Sequence, residues 1–288
     1  MEDQLKIQYK NKILGVLKYC IAFFEKHDIQ WFIACGSAIG AIRHKGIIPW
    51  DDDIDIYMPR SDYNKLFELR DEMLNEGFRF VCLKDEGYPY AFGKVMDMNT
   101  TLWQERRYPF NVGCYVDIFP LDLTDMGMMS FGKKWRTFRD LFSKYRAKIA
   151  KVSFGDIIDD IKARRTDGSR VVLGKIALMF YSRSSLHARL LSLEDSWNKI
   201  KGDRFVSFTE SGMYMFPKEW FLDYILVPFE DIEVRIPVSY DAYLTYIYGD
   251  YMTPPPIEQR KGDGPHGKIY INLDRNIPLE KIRRRRII

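Results

Sequence analysis

Long apolar runs are what this chain of 288 residues most lacks. No stretch reaches the ~20 apolar residues of a membrane-spanning helix. The opening Met1-Glu-Asp-Gln-Leu-Lys6 is charged where a secretory leader is apolar. Both readings lead to the expectation of a cytoplasmic protein, or one that is peripheral at the inner membrane face. Cysteine is scarce too. Cys20, Cys35, Cys82 and Cys114 are far apart, with no CxxC pair and no Cys/His ligand spacing, which argues against a zinc site. They predict reduced, buried thiols rather than disulfides. One-sided charge is missing as well: 44 basic residues against 40 acidic leave only +4. With no recognisable nucleic-acid motif, a nucleic-acid partner is not expected. There is no internal repeat.

What is present is core material. Hydrophobic residues make up 46% of the chain and aromatics 15%, enough for one large core or a core with a helical annex. A charged fraction of 29% and a mean hydropathy of −0.30 are ordinary for a globular protein and too apolar for disorder.

Periodicity gives the coarse order of elements. Residues 4–26 carry apolar side chains at helical spacing, and Trp31 to Cys35 reads as a buried strand stopped by Gly36-Ser37. Ala38 to His44 predicts a short helix, Ile54 to Met58 an alternating strand, and Arg60 to Leu74 a second helix. Phe78–Leu83, Ala91–Met96 and Tyr115–Phe119 predict further strands. The expected class is α+β of α/β type, with helices against one mixed central sheet. Residues 126–204 read as a basic helical insertion, in which Trp135, Phe138, Leu141, Phe142 and Tyr145 alternate with lysines and arginines. The expected organisation is therefore a core over 1–125, the insertion over 126–204, and a segment over 205–288 that completes the core and ends in the basic run Lys281 to Ile288.

Chemistry concentrates between Gly36 and Ile56. Asp53 and Asp55 lie two apart on a strand, so both carboxylates leave one face. Asp51 and Asp52 precede them, and carboxylates this close raise one another's pKa unless a cation lies between. Such hard oxygen ligands suit Mg²⁺ or Mn²⁺. Asp117, flanked by Val116 and Ile118, is a charge in an apolar strand and needs a partner or a metal. On a strand beside Asp53 and Asp55 it would complete a three-carboxylate cage. Gly36-Ser37, opening a helix, offers N–H groups and a hydroxyl to a phosphate. A metal cage facing such a turn is equipment for phosphoryl transfer. The competing reading is an acidic turn followed by a solvent-facing strand position.

The run from Gly36 to Ile56, followed by Pro59-Arg60-Ser-Asp-Tyr63, resembles the signature of the LicD family, which fukutin shares. The similarity extends to Lys94, Asn99-Thr-Thr101, Val116 to Asp122, Pro228-Phe-Glu230 and Val238 to Met252 with the prolines that follow. The resemblance implies a nucleotidyltransferase fold and transfer of phosphocholine or a polyol phosphate from a CDP-linked donor to a sugar. It matches Gly36 and Ser37 to the phosphate-binding turn, Asp53 and Asp55 to the metal pair, and Asp117 to the third carboxylate. Threonine is usual where Ser37 stands, and the hydroxyl is retained. A cell-surface glycan or its lipid-linked precursor is the implied acceptor, with CDP-choline the first donor and Mg²⁺ or Mn²⁺ the cofactor.

Other residues have two readings each. Arg43 and His44 either contact donor phosphates or cap their helix and pair with Asp51 and Asp52. Lys94 either reaches a phosphate or snorkels to the surface. His266 is a donor contact or an exposed loop histidine. Trp50 stacks on a base or headgroup, or packs its loop. The tyrosines at 240, 243, 246, 248 and 251 cage a quaternary ammonium or form an amphipathic helix ending near Gly249. The basic insertion and Arg283–Arg286 are a solvated face or a contact with anionic lipid. Two rival functions share the same cage: a nucleotidylyltransferase using an NTP, and a non-catalytic glycan- or lipid-binding module.

Overall fold

In the computed structural model the chain is described at residues 2–105, 107–152, 158, 162, 167–197, 201–210, 212–260 and 270–282. Helix α1 (Glu2–Lys26) leads into a short strand β1 (Phe32–Ile33), helix α2 (Cys35–Ile39) and a π-helical turn over Gly40–His44. Strand β2 (Asp55–Pro59) follows, then α3 (Arg60–Glu68), α4 (Arg70–Asn75) and β3 (Phe78–Val81). Strands β4 (Gly93–Asp97), β5 (Thr101–Glu105), β6 (Tyr108–Asn111) and β7 (Cys114–Thr124) complete the first part. The fold is mixed α+β.

The central sheet runs β1-β2-β7-β4-β3, and β2 and β7 are its one parallel pair among the described strands. At its far end β7 also pairs with β8 (Arg204–Val206), which pairs with β9 (Met215–Pro217). Ile54, Ile56, Tyr57, Met58, Val116 and Ile118 are all buried, as expected of strands covered on both faces. Helix α1 supplies one cover: Tyr9, Ile13, Val16, Leu17, Cys20, Phe23 and Phe24 form its buried stripe against β7 and β4.

Several expectations shift in detail. The helix expected over Arg60 to Leu74 breaks at Leu69, where φ −87 and ψ 2 leave the helical region. Strands β5 and β6 were not legible as strands; with β12 (Tyr270–Asn272) they form a separate three-stranded sheet. The strand expected over Trp31 to Cys35 keeps only Phe32 and Ile33. Helix α2 begins at Cys35, which adopts φ +50, so the sharp turn precedes Gly36. The four cysteines are free thiols, three of them buried.

Between residues 126 and 204 lie α5 (Met128–Ile149), α6 (Asp167–Ala177) and α7 (Arg183–Trp197). Helices α5 and α7 build a second core from Phe131, Phe138, Leu141, Phe142, Tyr145, Leu186, Leu190 and Trp197, closed by Leu83, Val206 and Phe208. A buried ion cluster ties this layer to the sheet: Arg60 donates to both oxygens of Asp122, at 2.7 and 3.0 Å, and to Glu194 at 2.7 Å. The last part holds the hairpin β10 (Tyr224–Phe229) and β11 (Ile232–Pro237) and the helix α8 (Tyr240–Tyr248). Helix α8 stops at Gly249, whose φ of +66 suits glycine.

Candidate active site

Register brings the acidic residues together. Asp55 at the start of β2 lies directly beside Asp117 of the parallel strand β7, and Asp117 lies directly across from Lys94 on β4. Residues opposite one another share a face. Asp53 enters the same group from the extended segment ahead of β2, and one carboxylate oxygen from each of Asp53, Asp55 and Asp117 lies within 4.8 Å of the others. A second trio, Asp51, Asp52 and Asp53, satisfies the same criterion and shares Asp53. Residues distant in sequence thus converge on one place.

The electrostatics of the cluster follow from crowding. Burial first, then the charges of Asp53, Asp117, Asp51 and Glu210, push the Asp55 carboxyl well above its ordinary range. Burial and the neighbouring Asp53 carry Asp51 up to about 7. A donor set made only of carboxylate oxygens fits a hard divalent ion, which would relieve this repulsion. Asp53, Asp55 and Asp117 are the residues that would hold it.

Lys94 does not snorkel to the surface. It is 1% exposed, and its Nζ donates to Asp117 Oδ1 at 2.5 Å. Its ammonium also lies 3.5 Å from the centroid of Tyr115, with Tyr90 at 4.8 Å and Phe92 at 5.0 Å. The lysine is a buried counter-charge for the third carboxylate, boxed by aromatic faces.

Gly36 and Ser37 sit in the first turn of α2, against the acidic residues. A Cβ on Gly36 would come within 2.8 Å of Asp51 Oδ2, so any larger residue would displace that carboxylate. Ser37 is buried, and its Oγ accepts from the Asp55 N–H at 3.0 Å, tying the turn to the strand that carries the carboxylate. The hydroxyl proton is left to donate. The matched segment Pro228-Phe-Glu230 has a structural role: Glu230 Oε1 accepts from the Ile47 N–H at 2.9 Å and Glu230 N–H donates to the Lys45 carbonyl at 2.7 Å, pinning the loop that leads to Trp50.

Arg43 and His44 close the π-helical turn. Arg43 donates to the Tyr251 carbonyl at 2.5 Å, and its Nε lies 3.4 Å from His44 Nδ1. Neither pairs with a carboxylate among the described residues. Both border Trp50: the His44 ring stands edge-on at 5.6 Å and the Arg43 guanidinium at 5.9 Å from its centroid. Arg260 completes the group at 4.8 Å from the same ring. Burial and the two guanidinium charges lower the His44 pKa, so the imidazole is neutral at physiological pH. Arg260 was not singled out by sequence reasoning, because a lone arginine after a proline-rich bend carries no pattern. His266 and Arg283–Arg286 lie outside the described residues.

The tyrosine run is helix α8 and the turn after it. Tyr243 is fully buried, and its hydroxyl accepts from the Cys35 N–H at 2.8 Å. Tyr246 and Tyr248 are exposed. Glu210, also not foreseen, is buried beside Tyr57, whose hydroxyl donates to it. Its context, Ser207-Phe-Thr-Glu210, reads as an ordinary loop.

Comparison with known proteins adds the lineage. Residues 28–158 match the family model described as LicD/FKTN/FKRP, nucleotidyltransferase domain. The chain is 28% identical over 266 residues to the lipopolysaccharide cholinephosphotransferase LicD of Haemophilus influenzae, covering 88% of this chain and 92% of that protein. It is 34% identical over 53 residues to the ribitol 5-phosphate transferase FKRP of human, covering 18% of this chain and 11% of that protein. An uncharacterized Rickettsia typhi protein, RT0683, matches at 37% over 54 residues, 19% of this chain and 18% of that one. The converged carboxylates, the glycine-serine turn and the buried lysine all fall within the matched 28–158 segment, so the chain carries a LicD-family domain there and is similar over most of its length to a LicD cholinephosphotransferase.

Proposed function

We propose that this enzyme transfers a substituted phosphate, phosphocholine first, from a CDP-linked donor to a hydroxyl of a cell-surface glycan or its lipid-linked precursor, releasing CMP. The observation that carries the reading is the in-register meeting of Asp55 and Asp117 on neighbouring strands, with Asp53 beside them. The name and near full-length match of the Haemophilus relative support the headgroup and the acceptor class. The sheet with paired strand carboxylates behind a glycine-serine helix start agrees with a nucleotidyltransferase fold.

Residue roles follow from placement. Asp53, Asp55 and Asp117 would hold Mg²⁺ or Mn²⁺, which supplies charge neutralisation at the diphosphate. The Gly36 and Ser37 turn and the cations Arg43 and Arg260 bind and orient phosphate oxygens, and Trp50, between those cations, offers a face for the base. Asp117, paired with the Lys94 ammonium, accepts the proton of the attacking hydroxyl. That hydroxyl attacks the phosphorus distal to cytidine, and the bond to the CMP oxygen breaks in line.

No described helix is long and apolar enough to cross a membrane. Next to Lys175 and Arg183, however, Leu173, Ile176, Met179 and Phe180 are exposed, the last at 91%. That patch supports peripheral contact with anionic lipid.

A thermal-shift series with CDP-choline, CDP-ethanolamine, CDP-ribitol and CDP-glycerol, each with and without Mg²⁺, tests the donor reading. At least one should raise the melting temperature only with Mg²⁺ present, and turnover with a glycan acceptor should release CMP. Pyrophosphate released from CTP, or no shift with any CDP compound, overturns it.

A further inference from the structure

Helices α6 and α7 meet in a turn whose apolar side chains point two ways. Leu178 is buried, and Leu186 and Leu190 of α7 belong to the second core. Leu173, Ile176, Met179, Phe180 and Tyr181 are exposed instead, Met179 at 64% and Phe180 at 91%. Gly174 and Leu178, four apart, make the inward side of α6: a Cβ on Gly174 would lie 3.6 Å from Ala147 of α5. Leu173, Ile176 and Phe180 recur at helical spacing on the side left bare. Five large apolar side chains within nine residues are more than a surface without a partner ordinarily shows.

The turn is also closed on itself. The Met179 N–H donates to the Ile176 carbonyl at 3.1 Å, and the Tyr181 N–H to the Leu178 carbonyl at 2.9 Å. Ser182 Oγ accepts from the Ser185 N–H at 3.0 Å, which caps the start of α7. With those backbone groups bonded internally, the tip leaves water without stranding them.

Charge selects the occupant. From residue 168 to residue 193 the sequence has four arginines and lysines and no aspartate or glutamate. Arg183 pairs with Glu86 at 2.8 Å, whereas Lys175 and Arg189 pair with no carboxylate among the described residues. A second copy docked through the same face would set like charges against one another. An anionic lipid surface answers both features, taking the apolar tip below its headgroups and the cations among them.

We propose that the α6–α7 turn, with Met179 and Phe180 at its tip, inserts into the headgroup boundary of an anionic bilayer and holds the enzyme there as a monotopic protein. The assignment rests on the peripheral-contact reading above and specifies its residues and depth. A chain held on the surface meets a lipid-borne hydroxyl at the high local concentration of the bilayer.

The test is sedimentation of the full chain with vesicles of phosphatidylcholine alone or mixed with phosphatidylglycerol. Wild type should partition at least about tenfold more strongly onto the mixed vesicles, since each cation near an anionic surface contributes about fivefold. Raising salt from about 50 to 500 mM should weaken binding, as screening requires. The double substitution Met179→Ser with Phe180→Ser should lower partitioning at least about tenfold at either salt. Both side chains are exposed, so circular dichroism and CMP binding should not change. In Phe180→Trp, the introduced indole should shift its emission to the blue on vesicles and be quenched by brominated lipid. No preference for anionic vesicles, binding that survives the double substitution, or an indole that stays in water while the protein is bound overturns the assignment. Self-association in sedimentation velocity that the double substitution abolishes, without lipid binding, gives the face to a second copy and also overturns it. CMP binding is measured apart, so each of these failures leaves the donor reading intact.

Discussion

Replacing Asp51 by Asn should stabilise the metal-free protein at neutral pH, and the gain should fade on acidification. Asp51 is raised from 3.8 to about 7 by burial and then by Asp53, against the pull of the Asp52 N–H that donates to it at 3.1 Å. The unfolded chain releases this proton near 3.8 and the native one near 7. Across that window the native state holds more protons, so stability falls as pH rises, with the penalty absent well below 3.8 and complete above 7. At 1.36 kcal/mol per pH unit the ceiling is about 4 kcal/mol. Solvent reaches part of the group, which leaves on the order of 2 kcal/mol. For a chain of this size, unfolding entropy is about 0.6 kcal/mol per degree, so the melting temperature should rise by about 3 °C. Asparagine retains the oxygen that accepts from Asp52. The assay is thermal unfolding by circular dichroism in EDTA at several pH values for both proteins. Glu210 titrates in the same range in both and cancels in the difference. The gap should be largest near pH 7.5 and nearly gone at pH 4, and saturating Mg²⁺ should shrink it by stabilising wild type more. A pH-independent gap, or a less stable variant at neutral pH, would refute the reasoning.

Asp55→Asn and Asp117→Asn should each lower CMP release by at least about 10³-fold with far-ultraviolet circular dichroism unchanged, because each removes a ligand of the shared ion; turnover above a tenth of wild type would remove the cage from the mechanism. Lys94→Met should cost about 3–5 kcal/mol in urea unfolding, since it removes the counter-charge of the buried Asp117. A loss below about 1 kcal/mol would show that the pair is not the counter-charge its geometry suggests. Arg260→Ala should weaken CMP binding about tenfold by calorimetry, or ~1.4 kcal/mol, with little change in melting temperature. An unchanged dissociation constant would take Arg260 out of the donor site.

Local pattern alone located much of this protein. The apolar stripe of α1 reappears in place, whereas only Asp55 of the expected carboxylate pair lies on its strand and the helix expected after Gly36-Ser37 begins at Cys35. The break at Leu69 was invisible because residues 60–74 keep helical spacing through it. Strands β5 and β6 were missed because aromatic, basic and polar residues alternate there without a clean period of two. That Asp53 and Asp55 lie near one another was determined by the sequence itself, since they are two residues apart. That Asp117 joins them, and that Lys94 neutralises Asp117, was decided by the register of β7 between β2 and β4, which no local pattern encodes. Glu210 and Arg260 belong to the same category: a carboxylate or a guanidinium in a loop gains meaning only from what the fold sets opposite it. Periodicity fixes direction within an element, whereas partners across elements depend on strand pairing and loop closure over long separations.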